Sequence, residues 1–480
     1  MTSTCTRMKF RSVAAAFVSA LSLSAIGQPV AIVHATLIDV TAFGRSEHDI
    51  DDAVVLIDGD RIVAVGVASA VRVPENAQVI DARGAFLIPG LIEGFGALRD
   101  QGFANAFLYE GITTVYLPIS DGSDDRRGKG FLRAKPSPRV FVGGAVTGYS
   151  ANGESINDNP APAGSEDGAL TQERLTQDPL TRSEIGASVH RMAMTGARGV
   201  WIDYDVWPYQ VDTVVRSALS LGLATIGELG FTSYAYAIRA GVATFVHNQR
   251  YLSSLALPAN QIRYGDDPFG KGARPAIREE CTIDPSSPAV ASLGAQLAAS
   301  KSTLMPTLAI AVTVEGLSGL PNPWARPSAK LVSPALLHLP VNSATNISPR
   351  NETRTVAERK ISEDCVRNML ALDKALHTAG AHFLAGSGTS AFGVMPGGGM
   401  HLELAMLTKF VGLTPREAVA AATSNYADTY GWPDVGKIEV GRFADILIIN
   451  DDPRRSVAAL ANIRTLLFGG KVLDRDQLLN

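Results

Sequence analysis

Phe86–Phe95 reads FLIPGLIEGF, an apolar run interrupted by a Pro-Gly pair. A short apolar run punctuated by glycine reads as a buried strand. Seven pieces of the same character follow it: Gly111–Pro118 (GITTVYLP), Pro138–Gly144 (PRVFVGG), Gly199–Asp205 (GVWIDYD), Leu223–Glu228 (LATIGE), Val242–His247 (VATFVH), Thr303–Leu308 (TLMPTL) and His382–Ser387 (HFLAGS). Between them lie stretches such as Val211–Gly222 and Ala289–Lys301, with apolar residues at the three- and four-residue spacing of a helix. Strand and helix in alternation imply a parallel sheet, doubly wound or closed. Eight strands, with Phe86–Phe95 as the first, favour a closed (β/α)8 barrel of the TIM type.

Outside this middle the pattern changes. Ala31–Val40, Ala53–Gly66 and Ala77–Gly84 are rich in Val and Ile and punctuated by Asp-Gly and Gly, as strands and hairpins are, and Phe443–Asn450 and Ile463–Leu473 repeat that character. Two groups of strands therefore bracket the barrel. One helix is marked at both ends: Thr414 as N-cap, Pro415 at the first helical position, Glu417 completing a capping box, and Gly431 closing the run.

The chain has 480 residues, 46 % hydrophobic and 19 % charged, an ordinary globular composition that excludes disorder and collagen-like repeats. A net charge of -4 with no basic stripe argues against a nucleic-acid partner. Arg7, Lys9 and Arg11 precede the uncharged stretch Val13–Ile26, with Ala25 and Gly27 placed for cleavage. Residues 1–27 thus read as a secretory signal peptide, too short in its apolar part for a membrane span, and the expectation is an exported protein, periplasmic or secreted, with no membrane span after signal removal. Cys5 leaves with that segment. Cys281 and Cys365 remain, and their separation of 84 positions leaves a disulfide and a free buried thiol equally open.

Polar stretches at Ser120–Pro136, Tyr149–Glu184 and Tyr251–Pro288 interrupt the barrel pattern; they fit loops over the mouth or flexible padding. Gly265–Lys271 has the spacing of a phosphate-binding loop but carries Gly272 where Ser or Thr would bind magnesium. The glycines of Pro396–Met400 fit either a mouth-lining loop or a backbone that needs freedom.

Ile88–Ala97 (IPGLIEGFGA) resembles the first-strand motif of the amidohydrolase superfamily, and the likeness runs on. The stretches GITTV, PRVFVGG, AGVATFVH and PTL, then LTPREAVAAATSNYAD and VGKIEVGRFADILIIN, are similar to its imidazolonepropionase-like branch. That resemblance implies a (β/α)8 barrel at 89–436 with a small β-sandwich built from both chain ends, 28–88 and 437–480. It implies hydrolysis of amide, cyclic amide or peptide-like C–N bonds by metal-activated water at the C-terminal ends of the strands.

At the positions where the resemblance implies metal ligands, this chain departs from the pattern. Phe95 and Ala97 stand in place of two histidines, Trp201 in place of a carboxylated lysine, Glu228 in place of a histidine, and Gly388 in place of the proton-accepting Asp; only His247 matches. No two histidines lie two, three or four positions apart, so no local chelating motif exists. The expectation is therefore no metal and no cofactor, with zinc or another divalent ion only if Glu228 and His247 recruit Asp203, Asp205 or a loop residue. Phe95 and Trp201 suggest an apolar floor. A lone histidine at a strand end is more often structural than ligating. Glu228 must instead be paired, with His247 or Arg250, or await a ligand cation.

Two functions follow as expectations. One is a degenerate hydrolase, a pseudoenzyme that binds a small-molecule ligand or an intact amidohydrolase paralogue. The other is an active hydrolase of small amides, lactones or dipeptide-like substrates, with Glu228 and His247 as the catalytic residues and Phe95, Ala97, Trp201, Asp203, Asp205, Arg250 and Gly388 lining the pocket. A purely structural module is a third reading, since fold does not imply function. Oligomeric state is not legible.

Overall fold

The computed structural model describes residues 28–118, 135–149, 179–266 and 274–480, apart from 318, 338–340, 347 and 349–351. The signal-peptide reading and most of the first two polar stretches fall outside these residues, as does the loop from 267 to 273.

Two eight-stranded sheets organise the described residues. The first mixes both chain ends: β1 (Val30–Leu37), β2 (Ile50–Asp58), β3 (Arg61–Val67), β4 (Gln78–Asp81) and β5 (Phe86–Pro89) join β14 (Ile446–Ile449), β15 (Ile463–Phe468) and β16 (Lys471–Leu473). The joint between the ends is antiparallel, Ile446 opposite Pro89 through Ile449 opposite Phe86. Alternate residues such as Ile32, Val55, Leu87 and Ile448 turn to one face and form its apolar core.

The second sheet is parallel throughout and runs in chain order: β6 (Leu91–Glu93), β7 (Ile112–Leu117), β8 (Arg139–Val146), β9 (Gly199–Ile202), β10 (Ala224–Gly227), β11 (Thr244–Val246), β12 (Thr303–Met305) and β13 (His382–Phe383). With helices between the strands, this is the TIM-like barrel that the sequence pattern predicts. Its interior is filled by Tyr116, Trp201, Val246, Met305, Tyr426 and Trp432 among others, so it is a packed core.

Two local readings are corrected. Phe86–Phe95 is two strands in two sheets, with the switch at Gly90. The Gly90 N–H donates to Asp445 O at 2.9 Å on the terminal sheet, while the Leu91 N–H donates to Gly111 O at 3.0 Å. A Cβ on Gly90 would stand 2.1 Å from Thr113 Oγ1, so only glycine lets the chain cross that close.

The helix opened by Thr414 has the predicted capping box, with the Glu417 N–H bonded to Thr414 Oγ1, but it ends at Ala421. A second helix, Ser424–Tyr430, carries on to the left-handed Gly431. The break has a use: Ala421 O accepts from the Ala385 N–H at 2.9 Å and Ala422 O from the Ile92 N–H at 2.8 Å. These two carbonyls lie between the first and last strands and bridge the barrel seam. With these two carbonyls turned to the barrel, their orphan acceptors at the helix end are satisfied.

Arg139 links the two sheets. At the start of β8 it makes a bidentate pair with Asp445, Nε to Oδ2 at 2.7 Å and Nη2 to Oδ1 at 3.1 Å, and its guanidinium lies 3.4 Å from the Phe443 ring centroid. Cys281 and Cys365 are joined in a disulfide, which resolves the alternatives left open by sequence. Among the described residues no helix is long and apolar enough to cross a membrane.

Candidate active site at the barrel mouth

Strands β9, β10 and β11 carry Trp201, Glu228 and His247 to their C-terminal ends. The Glu228 N–H donates to Ile202 O at 3.1 Å and the His247 N–H to Met305 O at 3.0 Å, so each residue extends the ladder one step past its strand. The ring of Phe95, following β6, lies 5.0 Å from the His247 ring and 5.6 Å from Trp201, centroid to centroid. Trp201 is wholly buried, and its indole N–H has no hydrogen-bond partner among the described residues. Phe95 and Trp201 pack together against His247 at the edge of the barrel's aromatic core.

Glu228 pairs with Arg250, whose Nε donates to its Oε1 at 3.0 Å, with side chains 10 % and 18 % exposed. Burial works against the charge on Arg250, yet Tyr264 and the Glu228 carboxylate raise its pKa above the ordinary value. Tyr264 is itself anchored, its hydroxyl donating to Leu229 O at 3.0 Å. Of the alternatives open to Glu228, the structure shows contact with Arg250.

Burial lowers the pKa of His247, Glu228 partly opposing and Arg250 reinforcing, so the imidazole is neutral near pH 7. Its Nδ1 lies 2.7 Å from Thr307 Oγ1, and that hydroxyl already donates to Pro306 O. Thr307 must therefore accept from Nδ1–H, which leaves Nε2 as the nitrogen with the lone pair.

Asp203 and Asp205 are buried and engaged with backbone: Asp203 Oδ1 accepts from the Tyr204 N–H at 2.9 Å and Asp205 Oδ1 from the Gly148 N–H at 2.8 Å. Ala97 is partly buried. Gly388 has φ +75°, and a Cβ there would stand 2.2 Å from Ile310 Cδ1, so a side chain at this position meets both strain and crowding.

The residues at these strand ends do not fit the metal centre that the amidohydrolase pattern implies. Phe95, Ala97, Trp201 and Gly388 contribute no carboxylate or imidazole donor, and the Glu228 carboxylate is held by Arg250. Among the described residues no group of three or more His, Cys, Asp and Glu is placed to hold a metal ion, and a catalytic zinc takes three protein ligands.

Sequence reasoning missed a buried acid network beside the mouth. Glu93, at the end of β6, accepts from the N–H and hydroxyl of Ser387 after β13, at 2.7 and 2.5 Å. Glu403 accepts from the Ala309 N–H at 2.7 Å, and Asp373 from the Tyr251 hydroxyl and the Asn248 amide at 2.7 and 3.1 Å. Burial pushes Glu93 and Asp373 up to about 7 and Glu403 to about 8. Thr307, beside His247, lay within the PTL stretch; Tyr264 had no sequence signal.

Residues 328–473 match the model of the amidohydrolase family. A search of curated proteins finds no match. Among solved structures, bottromycin amidohydrolase superposes with a TM-score of 0.62 at 18 % identity, covering 94 % of this chain and 88 % of that one. Molinate hydrolase gives 0.58 at 16 % identity, with 94 % and 96 % covered. An Xaa-Pro dipeptidase gives 0.55 at 16 %, with 93 % and 100 % covered. At these identities the structures speak for the fold, and the sequence match speaks for the family. Residues 328–473 thus carry the pattern of the amidohydrolase family, in a chain whose TIM-like barrel is similar to those of these hydrolases.

Proposed function

We propose that this chain is an exported amidohydrolase-superfamily protein that has given up the family's metal-dependent cleavage of C–N bonds and holds a small organic ligand instead. The observation that carries the reading is the strand-end arrangement itself: an aromatic floor of Phe95 and Trp201 against His247, with the one carboxylate at the mouth already paired to Arg250. Two donors, one of them engaged, are too few for a catalytic metal site. The Cys281–Cys365 bridge supports export, because structural disulfides persist in oxidising compartments. A catalytically intact paralogue is the macromolecular partner that such a barrel would complement.

The test is metal content by elemental mass spectrometry after exposure to zinc and removal of loosely held ion. The expected result is no stoichiometric metal. One metal per chain, lost on Glu228→Ala or His247→Ala, would overturn the reading.

One observation favours a second reading, an active hydrolase of small amides, lactones or dipeptide-like substrates. A neutral His247 with Nδ1–H directed to Thr307 presents Nε2 as a general base, which contributes about 10²- to 10⁴-fold. Turnover of a lactone panel that disappears in His247→Ala supports it; turnover unchanged in that variant removes it.

A further inference from the structure

A cavity of about 340 Å³ opens beside the disulfide, between helix Arg274–Glu279 and helix Val356–Thr378. It lies next to the barrel mouth but outside it: Gln249, two residues beyond His247, forms one wall, and Ile277, Ile361, Met369 and the bridged Cys281 and Cys365 form apolar ones. Glu280 lines it at 1 % exposure, and its Oε2 has no hydrogen-bond partner among the described residues.

The other charges here differ. Arg354 Nη1 is 2.7 Å from Glu315 Oε2 and bonds the Ser362 hydroxyl, so that cation is already matched by an anion. Arg278 sits exposed at the rim. Glu280 is the deep polar group left to be satisfied. Burial raises its pKa well above the ordinary value, Asp373 and Glu315 add to that, and Arg250 opposes them. A buried carboxyl without a partner is destabilising, and an arriving cationic donor removes that penalty. The surrounding Ile, Met and cystine surface suits a short alkyl body.

We propose that this cavity binds a small organic molecule carrying a primary ammonium group on a short apolar body, the ammonium seated on Glu280 and the alkyl portion against Ile277, Ile361 and Met369. The inference deepens the ligand-binding reading and rests on it, while placing the ligand away from the strand-end floor.

Isothermal titration of the purified chain with n-pentylamine and, separately, with pentanoate tests it. The amine binds one per chain and the acid does not. Glu280→Gln weakens the amine by about tenfold or more, the scale of a lost charge-assisted hydrogen bond. Ile361→Arg, at a 69 % exposed position on the rim where folding is not at stake, weakens it by added positive charge. No binding of pentylamine, equal binding by the wild type and both cavity variants, or capture of pentanoate in its place overturns the proposal. Its failure is distinct from that of the parent reading, which stoichiometric metal would sink whatever the titration shows.

Discussion

Arg250 reaches back 22 positions to Glu228 and binds it through Nε at 3.0 Å, the cation closing over the carboxylate that follows β10. Removing one member of a buried pair strands the other. Arg250→Ala is expected to cost about 3–5 kcal/mol in urea unfolding. The double variant Arg250→Leu/Glu228→Leu should cost less than the single one, because no charge is left unpaired. A double variant no more stable than the single would show that the pair matters through packing alone.

Glu93 and Asp373, held at about 7, and Glu403, at about 8, give the fold a dependence on pH above the acid range. Their folded values exceed the ordinary 4.5 for Glu and 3.8 for Asp, so the folded chain holds protons that the unfolded chain has lost. Stability from these groups is complete below the ordinary values and declines as pH rises through 7 to 8. Thermal unfolding should give a lower Tm at pH 8 than at pH 5.5, and Glu403→Gln should narrow that gap.

Glu110 acts in the opposite sense. Burial disfavours its charge, but His401 and Arg326 outweigh that and lower its pKa, with Ser328 also bonded to it. Its contribution is present above the ordinary value of 4.5 and is lost as pH falls below it. Denaturation midpoints between pH 5 and pH 3 should fall steeply in the wild type and less steeply in Glu110→Gln.

The Cys281–Cys365 bridge ties the segment around Tyr264 to helix Val356–Thr378, where little else apolar holds it: Ala256, Tyr264 and Ala276 form a small core of their own with Ile277. Reduction, or Cys281→Ser with Cys365→Ser, should cost about 2–5 kcal/mol. Hydrogen exchange should rise first in residues 256–266 and 274–279. Uniform exchange across the chain would mean that the bridge does not define a separable unit.

Gly90→Ala puts a methyl within 2.1 Å of Thr113 Oγ1 at the point where the chain passes from one sheet to the other. Overpacking of this kind costs about 1–3 kcal/mol. Thr113→Gly in the same chain should recover part of it, read as the shift in denaturation midpoint. No recovery would place the cost in the backbone.

The barrel and the two-ended terminal sheet were legible because both follow from the period of apolar residues, which burial dictates directly. The switch at Gly90 was not, since Phe86–Phe95 is continuous in composition and only contact with Thr113 divides it. Nor was the break after Ala421, whose cause is backbone carbonyls and leaves no trace in side-chain pattern. At the mouth, alignment to the motifs brought Phe95, Trp201, Glu228 and His247 to neighbouring strand ends. Asp203 and Asp205 carry the right chemistry, yet their bonds run to the Tyr204 and Gly148 backbone, which neither position announces. Tyr264 and Asp373 arrive on helices, and Glu280 just after one, whose docking the sequence does not encode locally.

The seam closed by Ala421 and Ala422 has a consequence in time. A ribosome releases β6 more than 300 residues before the carbonyls that join it to its last neighbour, and β5 waits as long for β14. Until then the nascent chain has two open sheet edges and no way to complete either one, so its folding is dominated by contacts distant in sequence and is slow. Its exposed edges need shielding from other chains for the same interval.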